Sequence, residues 1–588
     1  MMRTHAAGEL RATHDGNEVT LAGWVHHVRD HKGIVFVDLR DASGTVQVVF
    51  HPDEAPEAAE RAHKGIDREY CVRISGTVTK RKAGTENSKL ATGEIEVRAS
   101  ALEVLSESLT PPFVIEDDLE ADEPTRLRYR YLDLRRPAMQ QIFRLRHRVI
   151  REIRAYLDER GFTEIETPIL FKATPEGARD FLVPSRLQPG NFYALPQSPQ
   201  ILKQLSMVAG FERYYQIARC FRDEDARADR HLEFTQLDLE MSFVDVDDII
   251  EITEGLYAHI WKACLGVEVP TPFPRLSFAE VMDRFGTDHV DLRYGMELTD
   301  VDDVFAETKL TIFKKVVSSG GSIRAIAVPG AADMHHSELK RLEQQAMERG
   351  AKGLAWIAYK EGGEIDSPLA KVLSQDEREG LAAKMGASAG DLVLMVADRR
   401  SVANAVLGAL RMQLARDRGL IPEGQWRFCW VVDYPFFEWI EDEQRWEPMH
   451  HPFTSPAEGW EELIETDPGA VKMRAYDVVL NGMELASGSI RIHRPDLQRK
   501  IFDVLGIDPQ TAEERFGFLL EAFRYGPPPH GGFASGIDRT VMRMLGIDNV
   551  REVIAYPKTG SGQDLMSGAP TPVEERQLRD LGIRVVEP

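Results

Sequence analysis

The chain has 588 residues, 43% of them hydrophobic and 28% charged, with 32 prolines, a globular composition that excludes disordered, collagen-like and low-complexity classes. At about 150 residues per domain, the length implies about four domains. Lys plus Arg total 72 against 95 Asp plus Glu, a net charge of −23, which argues against a polybasic coat for nucleic acid while leaving room for local basic patches.

The four cysteines, Cys71, Cys220, Cys264 and Cys429, lack the close spacing of a zinc knuckle or redox motif and read as reduced thiols of a cytosolic protein. Met1 to His5 lead into no apolar run, and no window approaches the roughly 20 apolar residues of a membrane span, so a cytoplasmic protein without a membrane partner is expected.

In chain order, short alternating runs at 19–25, 34–40 and 45–50, punctuated by Gly33 and Gly44, predict a β-meander. A helical stretch at 54–65 and strands at 70–78 and 93–98 follow. Five strands in about a hundred residues fit a Greek-key barrel of the OB type or, equally on spacing, a β-sandwich. Pro111-Pro112 and the acidic run Glu116 to Glu123 predict a hinge. Arginines crowd 126–154, where Ile142, Leu145, Val149, Ile153 and Leu157 recur at helical spacing; the helix's basic face is either solvated or phosphate-binding. Strand character dominates 163–285 and resumes at Trp426, and the mixed texture of 286–424 reads as an insertion.

Three stretches carry chemistry. In Phe221 to Glu240, strand alternation puts Phe234, Gln236, Asp238 and Glu240 on one face, a polar face fit either for a surface ion-pair network or for a polyphosphate site. Across the Asn481-Gly482 turn, Asp477 and Glu484 could converge on Mg²⁺; packing glycines and a surface turn are the plain alternative. Gly531 to Arg539 is a Gly-rich entry to a helix, a weak signal for a phosphate seat.

Together these segments resemble the class II aminoacyl-tRNA synthetases, and among them the bacterial-type aspartyl enzymes. Phe221-Arg222-Asp223-Glu224 with Phe234-Thr235-Gln236 looks like the second class motif, Gly536-Ile537-Asp538-Arg539 the third, and Thr163 to Pro168 the first. The strings Thr174 to Phe181, Gln197 to Gln204 and Met449 to Phe453 are similar to segments particular to the aspartyl group. The resemblance runs nearly end to end and implies an α+β multidomain fold. Its parts would be an OB-fold anticodon-binding barrel (1–108), a hinge (109–130), an antiparallel-sheet catalytic domain in two parts (131–285 and 425–558), an inserted α/β domain of the GAD type (286–424) and a C-terminal extension (559–588). His231-Leu232, Ala486-Ser487 and Ser535 stand where the family usually has Gln-Pro, Gly-Gly and Phe; the Ser535 position is expected beside the adenine site.

The resemblance implies a homodimeric ligase that activates L-aspartate with ATP and Mg²⁺ and transfers it to tRNA(Asp). Arg222, Arg539 and Glu484 would be catalytic. Aspartate would be bound by Glu176, Ser198, Gln200, Lys203, Arg222, Asp238, His450 and Arg491, with Asp238 orienting Lys203 and Arg491. ATP would meet Arg222, Asp223, Glu224, His231, Glu484 and Gly536 to Arg539, with Asp477 and Glu484 on the metal. The anticodon would meet Arg29, His31, Phe36, Gln47, Gly84 and Glu94. On residues alone a buried Phe36 in the barrel core is the favoured reading. His31 and Gly84 resemble the relaxed form, which also charges tRNA(Asn). The alternatives are a strict tRNA(Asp) ligase, a related class II ligase and a noncatalytic synthetase-like tRNA-binding protein.

Overall fold

The computed structural model describes residues 2–174 and 177–586. It divides into two compact units: residues up to His147 with Asp225–His231 and Asn549–Val573, and Arg148–Glu224 with Leu232–Asp548 and the chain from Glu574 onward.

In the first unit, β1 (Glu18–His31), β2 (Ile34–Asp41), β3 (Gly44–Phe50), β4 (Cys71–Lys80) and β5 (Ile95–Ser106) close into a barrel in the order β1-β2-β3-β5-β4, with α1 (Pro56–Gly65) between β3 and β4. Closure excludes the sandwich. Val35, Val37 and Leu39 alternate into its core, whereas Phe36 lies between them on the half-exposed outer face. Lys32 and Gly33 turn β1 into β2 with φ of 55° and 87°, the twist a tight hairpin prefers.

After the barrel come α2 (Glu123–Arg128), α3 (Arg130–Asp133) and α4 (Pro137–Asp158), whose first half belongs to this unit. Three arginines of this stretch, Arg126, Arg130 and Arg136, are neither solvated nor free for phosphate, whereas Arg128 is exposed. Arg126, Arg130 and Arg136 converge on the fully buried carboxylate of Asp133, and Arg126 also reaches Glu552 at 2.8 Å. Arg130 further donates to the carbonyls of Arg551, Ile554 and Ala555.

In the second unit, β6 (Thr163–Glu164) precedes the hairpin β7 (Leu182–Pro184) and β8 (Phe192–Ala194), then α5 (Gln200–Val208), β9 (Arg213–Phe221), β10 (Glu233–Ser242), α6 (Val246–Leu265), β11 (Arg275–Ser277) and α7 (Phe278–Arg284). A separate antiparallel sheet, ordered β12-β13-β16-β14-β15, then occupies 299–398. Its strands are β12 (Thr299–Asp300), β13 (Ser322–Val328), β14 (Ala355–Tyr359), β15 (Ile365–Asp366) and β16 (Leu392–Asp398), with α8 (Thr311–Ser318), α9 (His336–Glu348), α10 (Gln375–Met385) and α11 (Arg400–Asp417). The chain returns through β17 (Phe428–Val432), the hairpin β18 (Phe437–Ile440) and β19 (Arg445–Pro448), β20 (Ala475–Leu480), β21 (Met483–Ile490), α12 (Pro495–Val504), α13 (Pro509–Ala522), β22 (His530–Gly536) and α14 (Ile537–Leu545). The main sheet reads β11-β17-β20-β21-β22-β10-β9-β6, antiparallel except at its two edge pairs. Among the described residues no helix is long and apolar enough to cross a membrane.

The first unit also carries a paired-histidine latch. Arg40 donates to Nδ1 of His26 at 3.0 Å and Arg68 to Nδ1 of His27 at 3.2 Å, while Nε2 of His27 lies 3.3 Å from Glu116. A guanidinium can only donate, so both Nδ1 atoms accept and both rings carry their proton on Nε2 when neutral. In that arrangement neither imidazole keeps a free ring lone pair for a metal. Burial, followed by the charges of His27, Arg40 and Arg68, pushes His26 down to about 4.

A histidine depressed in the folded state makes the unfolded state the better proton binder between the two values. His26 therefore contributes stability that is complete above about pH 6.5 and lost as pH falls to about 4, on the order of 2–3 kcal/mol. Thermal unfolding of the full chain across that window should show a loss that His26→Gln flattens.

Candidate active site

Residues opposite one another across antiparallel strands share a face. Asp238 faces Gln216 and Ala534, Glu240 faces Tyr214 and Gly532, and Ala534 faces Ser487, which faces Asp477. One face of the sheet thus gathers Gln236, Asp238, Glu240, Ser487, Ser489 and Asp477.

At its centre is a buried charge network. Nζ of Lys203, from α5, donates to Asp238 Oδ1 at 3.0 Å and to the Phe533 carbonyl at 3.2 Å, and lies 3.5 Å from Glu240 Oε2. Arg491 holds Glu240 through two bonds of 2.9 and 3.1 Å and donates to Ser489 at 2.6 Å and to His451 Nε2 at 2.9 Å. Lys203, Asp238, Glu240 and Arg491 are each no more than 2% exposed. Gly532 is required here, because a Cβ would stand 2.3 Å from Glu240 Oε2 and 2.0 Å from the Leu239 carbonyl.

Burial pushes Asp238 up despite Lys203, whereas Arg491 and Lys203 outweigh burial and hold Glu240 below the usual carboxylate range. Oδ2 of Asp238 is buried without a hydrogen-bond partner, a vacancy that a cationic donor would fill. Asp238 therefore orients Lys203, but the carboxylate that orients Arg491 is Glu240. Glu240 escaped the sequence reading as a site residue although the same alternation placed it on the polar face. Gln204, His451 and His530 were also missed: Gln204 joins Gln200 at 3.1 Å and His530 at 3.2 Å, and polar residues in a helix interior or strand end gave no periodic signal.

Asn481 and Gly482, with φ of 51° and 80°, turn β20 into β21. The register slips between Val478 and Val479, so Val479 faces Glu484 and Leu485 is the extra residue. The turn thus sets Glu484 on the face that Val479 shares with Asp477, and the bulge brings Ser487 rather than Ala486 opposite Asp477. Burial first, then Glu484, pushes Asp477 up to about 8. Its Oδ2 accepts from Tyr434 at 2.8 Å, and its Oδ1 has no hydrogen-bond partner. Two adjoining carboxylates, one with an unsatisfied buried oxygen, suit a divalent cation.

Arg222 is half-buried, its guanidinium 5.1 Å from the centre of the Phe234 ring. Asp223 and Glu224 are also half-buried, with the Asp223 amide donating to the Arg179 carbonyl at 3.0 Å. Arg539 donates to the Glu484 carbonyl at 3.2 Å and lies 4.0 Å from its carboxylate. Gly536 precedes α14, Ile537 is buried in it, and Asp538 accepts from the Thr235 amide at 2.9 Å. Ser198 Oγ accepts from the Gln200 amide at 3.2 Å. His450, pushed down to about 4 by burial, packs edge-on to Tyr434 with 4.8 Å between ring centres and lies 3.4 Å from Ser487 Oγ. Glu176 lies outside the described residues.

The departures from the family pattern separate by face. Ser535 pairs with Leu237 and Ala486 on the opposite face, where its hydroxyl meets that of Tyr257 at 2.8 Å. In the first unit, buried His231 accepts from the Lys558 amide at 2.8 Å.

On the outer face of the barrel, Arg29 and Phe36 are cross-strand partners. Arg29 holds Asp38 at 3.0 Å and reaches Gln47 at 3.5 Å, and Gln47 donates to Glu96 at 3.1 Å. His31, Gly84 and Glu94 are exposed, Gly84 in a loop and Glu94 in the turn before β5.

Residues 122–560 match the family described as tRNA synthetases class II (D, K and N), and 19–105 match the OB-fold nucleic acid binding domain. The chain belongs to the class II tRNA synthetases. It is 51% identical to an aspartate–tRNA(Asp/Asn) ligase of Saccharopolyspora erythraea, over 99% of this chain and 96% of the relative. It is 52% identical to the enzyme of the same name from Moorella thermoacetica, with the same coverages. Asparaginyl-tRNA synthetase from Pyrococcus horikoshii, complexed with asparaginyl-adenylate, shares the fold at a TM-score of 0.59 and 21% identity, covering 95% of this chain and 99% of that one. A putative aspartyl-tRNA synthetase from Leishmania major does so at 0.59 and 22%, covering 94% of each chain.

Removing one member of a buried ion pair costs about 3–5 kcal/mol because the partner charge is stranded. Lys203→Met should therefore lower the thermal midpoint markedly, and adding Asp238→Asn should recover part of the loss; both are read by calorimetry.

Proposed function

We propose that the chain is an aspartate–tRNA ligase that charges both tRNA(Asp) and tRNA(Asn). The observation that carries the amino-acid assignment is the Lys203–Asp238–Glu240–Arg491 network. Lys203 and Arg491 can only donate, so they favour a substrate side chain that accepts at both of its oxygens, and the NH₂ of an amide would meet a donor. The names of the relatives from Saccharopolyspora erythraea and Moorella thermoacetica support both tRNAs, as do His31 and Gly84 by resemblance.

In this reading Lys203 and Arg491 bind the aspartate side chain. Asp238 Oδ2 and Gln200 face its ammonium, Ser198 and His450 line the pocket, and Glu176 is assigned to the ammonium by resemblance alone. The reacting carboxylate is already ionised at neutral pH, so the chain's task is to align it with the α-phosphate of ATP and offset the charge of two approaching anions. Arg222, with a planar fork, bridges the two. Asp223, Glu224, His231 and the Gly536 to Arg539 segment hold the nucleotide, with Arg539 on its terminal phosphate. Asp477 and Glu484 would hold Mg²⁺, which offsets phosphate charge. Barrel 1–108, through Arg29, Phe36, Gln47, Gly84 and Glu94, reads the anticodon, joined by hinge 109–130 to a catalytic domain at 131–285 and 425–558. Insertion 286–424 and extension 559–588 complete this division. A homodimer is supported by the first class motif and by exposed Ile169, Leu170, Leu182, Phe192 and Tyr193 beyond it.

Three outcomes are expected. ATP–pyrophosphate exchange should require L-aspartate and ignore L-asparagine, and Arg222→Ala should lower it by about 10²–10³ while the circular dichroism spectrum is unchanged. Both purified tRNAs should be aminoacylated with L-aspartate. Sedimentation at micromolar concentration should give twice the chain mass; a monomer mass would contradict the dimer.

A further inference from the structure

Resting on the reading of the barrel as the anticodon reader, we propose that His63 is a positioning residue for tRNA selection, acting through Asp30 on the β1–β2 tip that carries His31. The tip is a two-residue turn of exposed Lys32 and Gly33. The Asp30 carboxylate bridges two elements: Oδ1 accepts from the Gly33 amide at 3.0 Å, and Oδ2 contacts Nδ1 of His63. His63 lies in the last turn of α1, an element separated from the tip by all of β2 and β3. Hydrogen bonds from Gly33 and then from His63 lower Asp30 and keep it an anion.

Strand alternation explains why this pair bears on selection without touching RNA. Arg29 pairs with Phe36 and His31 with Ile34, on one side of the hairpin, whereas Asp30 pairs with Val35, a core residue. Arg29 and His31 are therefore presented to one side while exposed Asp30 between them is presented to the other, where it meets α1. A carboxylate accepts only, so His63 must offer Nδ1–H, and that single donor sets the tip against the helix. His63 and Asp30 side chains are 55% and 37% exposed, so the contact adds little to global stability. Its effect lies in where His31 stands.

The test uses the full chain with His63→Leu, which removes the donor, and His63→Asn, which keeps one at the δ position. Aminoacylation of tRNA(Asp) and tRNA(Asn) is measured beside ATP–pyrophosphate exchange. In His63→Leu, kcat/KM for tRNA(Asn) relative to tRNA(Asp) should fall three- to tenfold, KM for tRNA(Asp) should rise at least threefold, and exchange should be unchanged; His63→Asn should restore both tRNA parameters. A ratio and KM within twofold of wild type in His63→Leu, or the same shift in both variants, would overturn the positioning role. A wild-type enzyme that leaves tRNA(Asn) uncharged would instead overturn the relaxed reading, and the role of His63 is then decided by the KM for tRNA(Asp) alone.

Discussion

Four charges buried together are the constraint around which the catalytic sheet is arranged. Each of Lys203, Asp238, Glu240 and Arg491 would cost several kcal/mol to bury alone, so the set persists only if every member is matched in sign and geometry. Matching requires α5 at one wall, the β10 alternation at the floor, a glycine at 532 and the reach of Arg491 from just beyond β21. The network is neutral as a whole. On the proposed function, Arg222 adds one positive charge and free aspartate brings one net negative charge, so the loaded site is again balanced. Because the cations are held before the substrate arrives, little reorganisation remains at the moment of reaction.

Sheet register decides which side chains belong to this site and which only resemble members. Asp477 and Glu484 are seven positions apart, an odd spacing that places them on opposite faces of one continuous strand. The turn reconciles them, and the bulge at Leu485 keeps Ser487 on the same face as Glu484. Ser535, one residue from Ala534 on the site face, turns instead toward Tyr257 on α6. Its loss of bulk relative to the family's phenylalanine is therefore matched by the tyrosine hydroxyl and by Ala486 opposite, on the face away from Asp238. Ser487 is the departure that does lie on the site face.

This separates what the sequence could disclose from what it could not. Alternation over Phe234 to Glu240 correctly gathered the polar face, and the Asn481-Gly482 dipeptide marked its hairpin, because both signals are local. Phe36 was read locally as core, and the closed barrel with Val35 and Val37 inside overturns that reading by fixing it outward. Arg126, Arg130 and Arg136 were opaque for a different reason. A charged side chain announces its sign but not whether that charge is already matched, and here Asp133 and the carbonyls of 551–555 match it. Glu240 was visible yet unassigned, since nothing local tells which of two same-face carboxylates meets which cation.

The same distinction applies to the barrel. Arg29, Asp38, Gln47 and Glu96 form a hydrogen-bonded chain across the outer face, so a base read there exchanges partners with side chains that are already satisfied. Such exchange gives small net energies, on the order of 1 kcal/mol per bond. Discrimination between anticodons that differ at one base then depends on geometry more than on the number of donors: a donor displaced by a fraction of an ångström loses as much as the choice is worth. Aromatic stacking on Phe36, tolerant of base identity, can supply affinity without selection. On the proposed function, selectivity is thereby left to the exposed tip at His31 and the loop at Gly84, and this is where a small change in the surrounding scaffold would have most effect on which tRNA is accepted.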